Sequence, residues 1–438
     1  MTLEKRELYR FPWSKNDNPI AWLEVTDICN LHCEGCYRQR IEGHKPVEQI
    51  QEEILFFKRW RNPDNVSIAG GEPLIHPEIV DIVAFIAENG IKPIVLTNAV
   101  KLSPELLREL KKAGLTGFTL HIDSHQGRPG WEGKNEGEHN ELREYYADMI
   151  AAEGGLITVF NSTVYPSTAH EIPDVVRWGQ ANIDKVHGLV FITYRIFDTE
   201  TSVGFDTEGK QVDAGQLSYS TTGFHDDFVT SPQVYQIIKD VSPEYEPSGY
   251  LGGTIRHDSF KWLAGATIGS KHRMYGSIGK KTMEIAQAGH HMLFGTYMAY
   301  LAQMKVAPLM FLLSPWDKTV RQAAKHWFSD IVRHPSCLFG TRVQTIGIIQ
   351  APDIQASGQA DMCDSCPDMT VWNGTLINSC RMDEYRLFGD MIAVADKGEG
   401  VTEPQPVVAG DPLPVDAPTE PVAQPTAEPV GGGDGRDA

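Results

Sequence analysis

The sequence predicts an α/β protein whose core is a parallel sheet covered by helices. Two observations carry this prediction over residues 19–195: short apolar runs alternate with amphipathic stretches, and the boundaries between them hold the residues that start and stop helices. A third observation limits it. From about residue 198 to 359 the rhythm fails, so an irregular, partly helical insert is expected there.

The elements follow in order. "PIAWLEVT" (19–26) reads as a strand and "KPVEQIQEEILFFKRW" (45–60) as a helix with Pro46 in its first turn. "NVSIAGG" is the second strand. In "PEIVDIVAFIAENG" the apolar positions Ile79, Val80, Ile82, Val83 and Ile86 share a helical face, and Gly90 stands where a C-terminal glycine belongs. "KPIVLTN" is the third strand. Ser103 caps "SPELLRELKKAG", with Pro104 at the first helical position and Gly114 at the end. "TGFTLHID", "LITVFNST" and "VHGLVFITY" complete the strands, separated by helical "NELREYYADMIAAEGG" and "EIPDVVRWGQAN". The βα rhythm implies a barrel or an open doubly wound sheet, and in both the chemistry gathers at the C-terminal ends of strands.

With 438 residues, 41% of them apolar, the chain can bury a large core. A net charge of −19 argues against a nucleic-acid grip, which needs a surplus of Lys and Arg. The N-terminus "MTLEKRELYRFPW" lacks a signal-peptide apolar region and no apolar run reaches 18 residues, so a cytoplasmic location is expected. Thiols stay reduced there, which makes clustered cysteines metal ligands or catalytic groups rather than disulfides. The expected organisation is an N-terminal extension (1–18), the α/β core (19–197), the insert (198–359), a Cys-rich unit (360–400) and a Pro- and acid-rich tail (401–438) too poor in apolar residues to fold. The most apolar part of the insert, "HMLFGTYMAYLAQMKVAPLMFLLSPW", is broken by Lys305 and Pro308. It reads first as buried core helices, with a wall for an apolar substrate or a face resting on a membrane surface as the other readings.

The chemistry concentrates in "DICNLHCEGCY", where Cys29, Cys33 and Cys36 put three thiols on one loop just after the first strand. Zinc held structurally takes four ligands, and His32 lies between ligands where it points elsewhere. Three thiols and a vacancy suit an iron–sulfur cluster with one iron open to a small molecule. A second signal, "GGEP" at Gly70, Gly71, Glu72 and Pro73, ends the second strand. Its glycines let backbone approach a ligand, and Glu72 offers a carboxylate to an ammonium group. Other strand ends supply Thr97 and Asn98, His121, Asp123 and Ser124, then Asn161 and Ser162.

On CxxxCxxC and GGEP the sequence resembles the radical S-adenosylmethionine (SAM) superfamily. The resemblance covers roughly residues 19–195 and implies a partial (β/α)6 barrel, a four-iron four-sulfur cluster on Cys29, Cys33 and Cys36, and SAM chelating the open iron. It implies Gly70, Gly71, Glu72 and Pro73 at the SAM amino group and Asp123 and Ser124 near its ribose and carboxylate, with Asn98 a further cofactor-binding candidate at the same mouth. The family often has an aromatic just before the last cysteine; here Gly35 stands there, and Tyr37 follows the cluster as the adenine candidate. His125, Arg128 and Trp131, in the loop "HQGRPGW", are within reach of a substrate. No residue is assigned as catalytic.

A second group, Cys363, Cys366 and Cys380, surrounds "MTVWNGTLIN". Asn373-Gly374 predicts a hairpin turn, which places Pro367 opposite Cys380 and returns Cys380 beside Cys366. The readings are a structural zinc with Cys337 as fourth ligand, or an auxiliary iron–sulfur cluster resembling the C-terminal SPASM and twitch extensions, completed by Cys337 or left open. His290 and His291 show no ligand pattern. The expected function is hydrogen abstraction from an unactivated C–H bond of a lipid, isoprenoid or other apolar small molecule, with flavodoxin or ferredoxin as electron donor. The alternatives are a peptide or protein side-chain maturase, against which the short segment before residue 19 leaves no room for a leader-binding domain, and a non-catalytic iron–sulfur or zinc protein.

Overall fold

The computed structural model describes residues 3–39, 43–194, 197–198, 204–221, 229–256, 258–300, 307–354 and 360–395; the tail expected at 401–438 lies outside them. Six parallel strands follow one another in chain order: β1 (Ile20–Thr26), β2 (Asn65–Gly70), β3 (Lys92–Thr97), β4 (Gly117–His121), β5 (Ile157–Val164) and β6 (Gly188–Thr193). Between them run α1 (Val47–Trp60), α2 (Ile79–Glu88), α3 (Pro104–Lys112), α4 (Asn140–Glu153) and α5 (Ile172–Ala181). Each helix buries one stripe, as Ile50, Ile54 and Phe57 do in α1 and Ile79, Ile82, Val83 and Ile86 in α2. Ser103 caps α3 by accepting the Leu106 N–H, as its sequence predicts.

The 198–359 stretch departs from the irregular segment expected. After α6 (Ser231–Val241) it contributes β7 (Pro247–Gly252), β8 (Phe260–Ser270), β9 (Arg273–Ser277) and, beyond α7 (Lys280–Phe294) and α8 (Lys318–Ile331), β10 (Arg342–Ile349). β10 pairs parallel with β6, β8 lies antiparallel between β10 and β7, and Tyr9–Arg10 adds an outer edge. The result is one sheet of eleven strands with β9 as a side branch, and among the described residues β1 and the Tyr9–Arg10 edge do not meet, so the barrel stays open. Among these same residues no helix is long and apolar enough to cross a membrane.

The C-terminal unit is a hairpin of β11 (Met369–Trp372) and β12 (Thr375–Asn378), followed by α9 (Met382–Phe388). Asn373 and Gly374 both have positive φ, the geometry an Asn-Gly turn selects. Its ladder runs outward through Met369 opposite Asn378 to a bond from the Ser379 N–H to the Asp368 carbonyl, which carries Cys380 back toward Cys366. The hairpin shares its apolar cluster with the rest: Leu23 and Phe118, Val234 and Leu263, and Val371 and Leu376 belong to one core.

Arg61 ties this unit to the sheet. Its guanidinium is wholly buried and donates to the carbonyls of Ile20 (2.6 Å), Lys15 (3.0 Å), Cys366 (2.8 Å) and Pro367 (2.7 Å). Four carbonyls from three chain segments depend on one side chain, and each would be left without a partner in the interior. Arg61→Met should therefore lower the free energy of unfolding by about 3 kcal/mol or more in urea titrations. A loss below about 1 kcal/mol would show that the tie is dispensable.

Candidate active site

The cysteine loop is rooted by an unusually close approach of two backbones. The Gly71 N–H donates to the Thr26 carbonyl (2.7 Å) and the Glu72 N–H to the Ile28 carbonyl (2.9 Å). A Cβ on Gly70 would lie 2.2 Å from the Thr26 oxygen, and one on Gly71 would lie 2.2 Å from the Ile28 oxygen. Gly70 also has φ +128, a conformation open mainly to glycine. These glycines admit the chain carrying the thiols, and both also line the cavity on which the thiols open.

Glu72 is buried and holds three strand ends together. Its Oε1 accepts from the Leu74 N–H (3.0 Å) and the Thr97 hydroxyl (2.5 Å), and its Oε2 from the Asn98 N–H (2.7 Å). Burial raises its carboxyl above the ordinary range, against the pull of those three donors. Asn98 extends the link: its amide reaches Asn30 (2.8 Å) and the Cys29 Sγ (3.9 Å).

Alternation along the strands decides which polar groups face inward. Thr119 and His121 of β4, Asn161 and Thr163 of β5, and Val190 and Ile192 of β6 line one cavity, while Phe118, Leu120 and Phe160 face the helices. His121 is thus a cavity residue, whereas Asp123 and Ser124, expected near the SAM ribose, are not among its walls. Asp123 accepts from His121 (2.8 Å) and from the N–H groups of His125 (3.0 Å) and Thr163 (3.2 Å), so it positions the imidazole. Burial alone would raise its carboxyl; the His121 contact and those N–H groups hold it at about 2. Ser124 turns to its own loop, donating its N–H to Glu136 and meeting His125 through its hydroxyl. Pro73 likewise opens a short helical turn outside the cavity, and Trp131 is core. Arg128 is buried, bonding the Asn98 carbonyl and Gln126.

Gly35 has a local explanation. A Cβ there would lie 2.6 Å from the Tyr165 hydroxyl oxygen and 3.1 Å from the Tyr194 ring, and the Gly35 N–H donates to Tyr165 (2.9 Å). The aromatic volume beside the last cysteine is supplied by Tyr165 and Tyr194, whose ring centroids are 4.7 Å apart. Tyr37 lines the cavity on the other side, where Arg38 lies over its ring and Asp368 and Cys380 are within electrostatic reach.

Both cysteine groups open on this cavity of about 390 Å³. Burial, then neighbouring Asp123, Cys36 and Cys29, push the Cys33 thiol well above its ordinary pKa. A hydrogen bond with Cys366, burial, and the charges of Cys366 and Cys380 do the same to Cys363. In each group the thiols crowd one another, and the nearby cation, Arg128 for Cys33 and Lys261 for Cys363, does not offset burial; cationic iron would, and the donor sets fit such a group. Among the described residues no three Cys, His, Asp or Glu side chains converge as a single-ion site does. Cys337 is not part of the second group. Its Sγ meets Ser270 and Asp330 at the end of β8, whereas Phe260, ten residues earlier, pairs with Gly252 beside the Gly253–Cys363 bridge. At about 3.3 Å per residue the strand separates the two places by roughly 30 Å.

Sequence reasoning missed Trp262 of β8 and Met283 and Gln287 of α7 as walls, whereas Met298 lies in the apolar stretch for which a substrate wall was one of the readings.

Residues 23–179 match the family model of the Radical SAM superfamily. Molybdenum cofactor biosynthesis protein 1 of Bos taurus is 35% identical over 109 residues, which are 23% of this chain and 17% of that protein. The GTP 3',8-cyclase of Alkaliphilus oremlandii is 36% identical over 110 residues, 23% of this chain and 34% of that protein. The 7,8-dihydro-6-hydroxymethylpterin dimethyltransferase of Methanocaldococcus jannaschii is 23% identical over 187 residues, 41% of this chain and 37% of that protein. The chain therefore spans well under half the length of these relatives. Among solved structures, SuiB of Streptococcus suis aligns over 52% of this chain and 46% of its own, with a TM-score of 0.37 and 16% identity.

The backbone approach at the cysteine loop is testable without any cofactor. Gly71→Ala should cost about 3 kcal/mol in urea unfolding, because the added carbon meets a carbonyl that cannot retreat without moving β1. Gly289→Ala, in α7 with nothing within 4 Å of the new carbon, should instead stabilise by up to about 1 kcal/mol.

Proposed function

We propose that this enzyme of the radical SAM superfamily, matched over residues 23–179, abstracts hydrogen from an unactivated C–H bond of an apolar small molecule, of the lipid or isoprenoid class, held between its two cysteine groups. The observation that carries the reading is the cavity. Its volume of about 390 Å³ would be shared with SAM and the clusters, and beyond their ligands Trp22, Trp262, Met283, Met298, Val190 and Ile192 give it broad apolar walls for a small molecule.

In this reading Cys29, Cys33 and Cys36 hold a four-iron four-sulfur cluster, and SAM completes its open iron. When bound and reduced by an external donor of the flavodoxin or ferredoxin kind, the pair supplies a 5′-deoxyadenosyl radical. The chain's own part is to bind, orient and exclude water. Glu72 Oε2 accepts only the Asn98 N–H, so it retains a lone pair for the SAM ammonium group. Gly70 and Gly71 serve by fixing the loop, and Asn98 by bracing Cys29. His121, held by Asp123, presents an imidazole to the cavity, and the buried Asn161 Oδ1, without a hydrogen-bond partner, offers an acceptor to a polar end of the substrate. The apolar walls keep water from a reactive intermediate. Cys363, Cys366 and Cys380 would hold an auxiliary iron–sulfur cluster without Cys337.

Replacing Cys29, Cys33 and Cys36 together with Ala should abolish dithionite-driven 5′-deoxyadenosine formation after anaerobic reconstitution; undiminished product would refute the enzyme reading. Iron and acid-labile sulfide retained by that triple variant should be lost when Cys363, Cys366 and Cys380 are replaced as well. Zinc in their place would identify a structural site. Lipid and metabolite profiling of a deletion strain should reveal an accumulated apolar precursor, and accumulation of an unmodified peptide would favour the maturase alternative.

A further inference from the structure

Eleven of the fifteen exposed large apolar side chains among the described residues lie between positions 285 and 339. Four of them (Ile285, Met292, Leu293 and Phe294) lie on α7, and the other seven on α8 and its flanks. Along α8 the residues Val320, Ala323, Ala324 and Trp327 form the buried stripe against the second core. The outward stripe is Lys318, Arg321, Lys325, Phe328 and then Val332, spaced by three and four residues so that all five share one face. Trp316 precedes this stripe and Phe339, 82% exposed, follows it. The short helical turn Ala307–Leu313 adds exposed Leu309 and Leu312, and Arg321 fastens the chain just beyond it by donating to the carbonyls of Ser314 and Pro315.

Charge is as uneven as hydrophobicity. Between residues 318 and 342 stand five Lys or Arg and one acid, Asp330, which is buried against Tyr275, on a chain whose net charge is −19. An apolar surface flanked by Lys and Arg matches an anionic bilayer surface, where the aliphatic and aromatic tips enter the headgroup region and the cations meet phosphate. A second copy of this chain fits poorly, since a two-fold contact through the stripe would bring two copies of the same basic cluster together.

We propose that α8, with the turn before it and the Leu338–Phe339 segment after it, docks this protein peripherally on an anionic phospholipid surface. This surface stands apart from the cavity and does not rest on the substrate reading. Full-length protein should co-sediment with vesicles of phosphatidylcholine and phosphatidylglycerol in equal parts, far less with phosphatidylcholine alone, and less as salt is raised. At about one kilocalorie per mole for each basic residue, K318Q/R321Q/K325Q should weaken binding about a hundredfold. F328S/V332S, which keeps every charge, should weaken it while preserving the salt dependence. Absence of binding to anionic vesicles at low salt, equal binding to neutral vesicles, or both variants binding like the parent protein would overturn the proposal.

Discussion

The site depends on two backbones lying closer than any side chain permits. At Gly70 and Gly71 the end of β2 is pressed against residues 26–28, and two short hydrogen bonds close the contact. The loop that leaves β1 therefore starts from a fixed point, and its three thiols emerge over the strand ends. Glu72 follows immediately and carries the constraint onward, through Thr97 and Asn98, to β3. Asn98 returns it to Cys29 and Asn30. Three strand ends and the cysteine loop thus form one hydrogen-bonded unit whose geometry is set before any ligand arrives.

A second set of constraints brings the C-terminal unit to the same cavity. Arg61 gathers carbonyls from the first strand and from Cys366 and Pro367. Arg38 pairs with Glu24 and, at 3.7 Å, with Asp383, and Arg386 pairs with Asp27 at 2.6 Å. These charges are nearly inaccessible to water, where ion pairs gain little net stability against the cost of desolvation. Their effect is selective: any other placement of α9 would strand buried charges, so the hairpin has one way to close. Tyr37 lies at this junction, near both Arg38 and Cys380.

Much of this was legible in the sequence because it is local. The six strands and five helices, the Ser103 cap and the Asn-Gly hairpin with its return of Cys380 all follow from periodicity and turn chemistry within short windows. The insert was not legible because its order is non-local: Trp262 pairs with Ile349, and β10 finds β6 across more than 140 residues of chain. No short window reveals such a partner. The same limit explains the polar groups at the site. His121, Asp123 and Ser124 are neighbours in sequence, but only the end of β4 decides that the first faces the cavity and the others turn away. Cys337 was grouped with distant thiols by residue type alone, and the length of β8 separates them.

The central claim is that Cys29, Cys33 and Cys36 and Cys363, Cys366 and Cys380 line one cavity. Treating the metal-free protein with bifunctional thiol reagents of graded length and mapping the bridged peptides by mass spectrometry measures this directly. The account predicts bridges between the two groups and none to Cys337. Bridges confined within each group, or joining either group to Cys337, would contradict it.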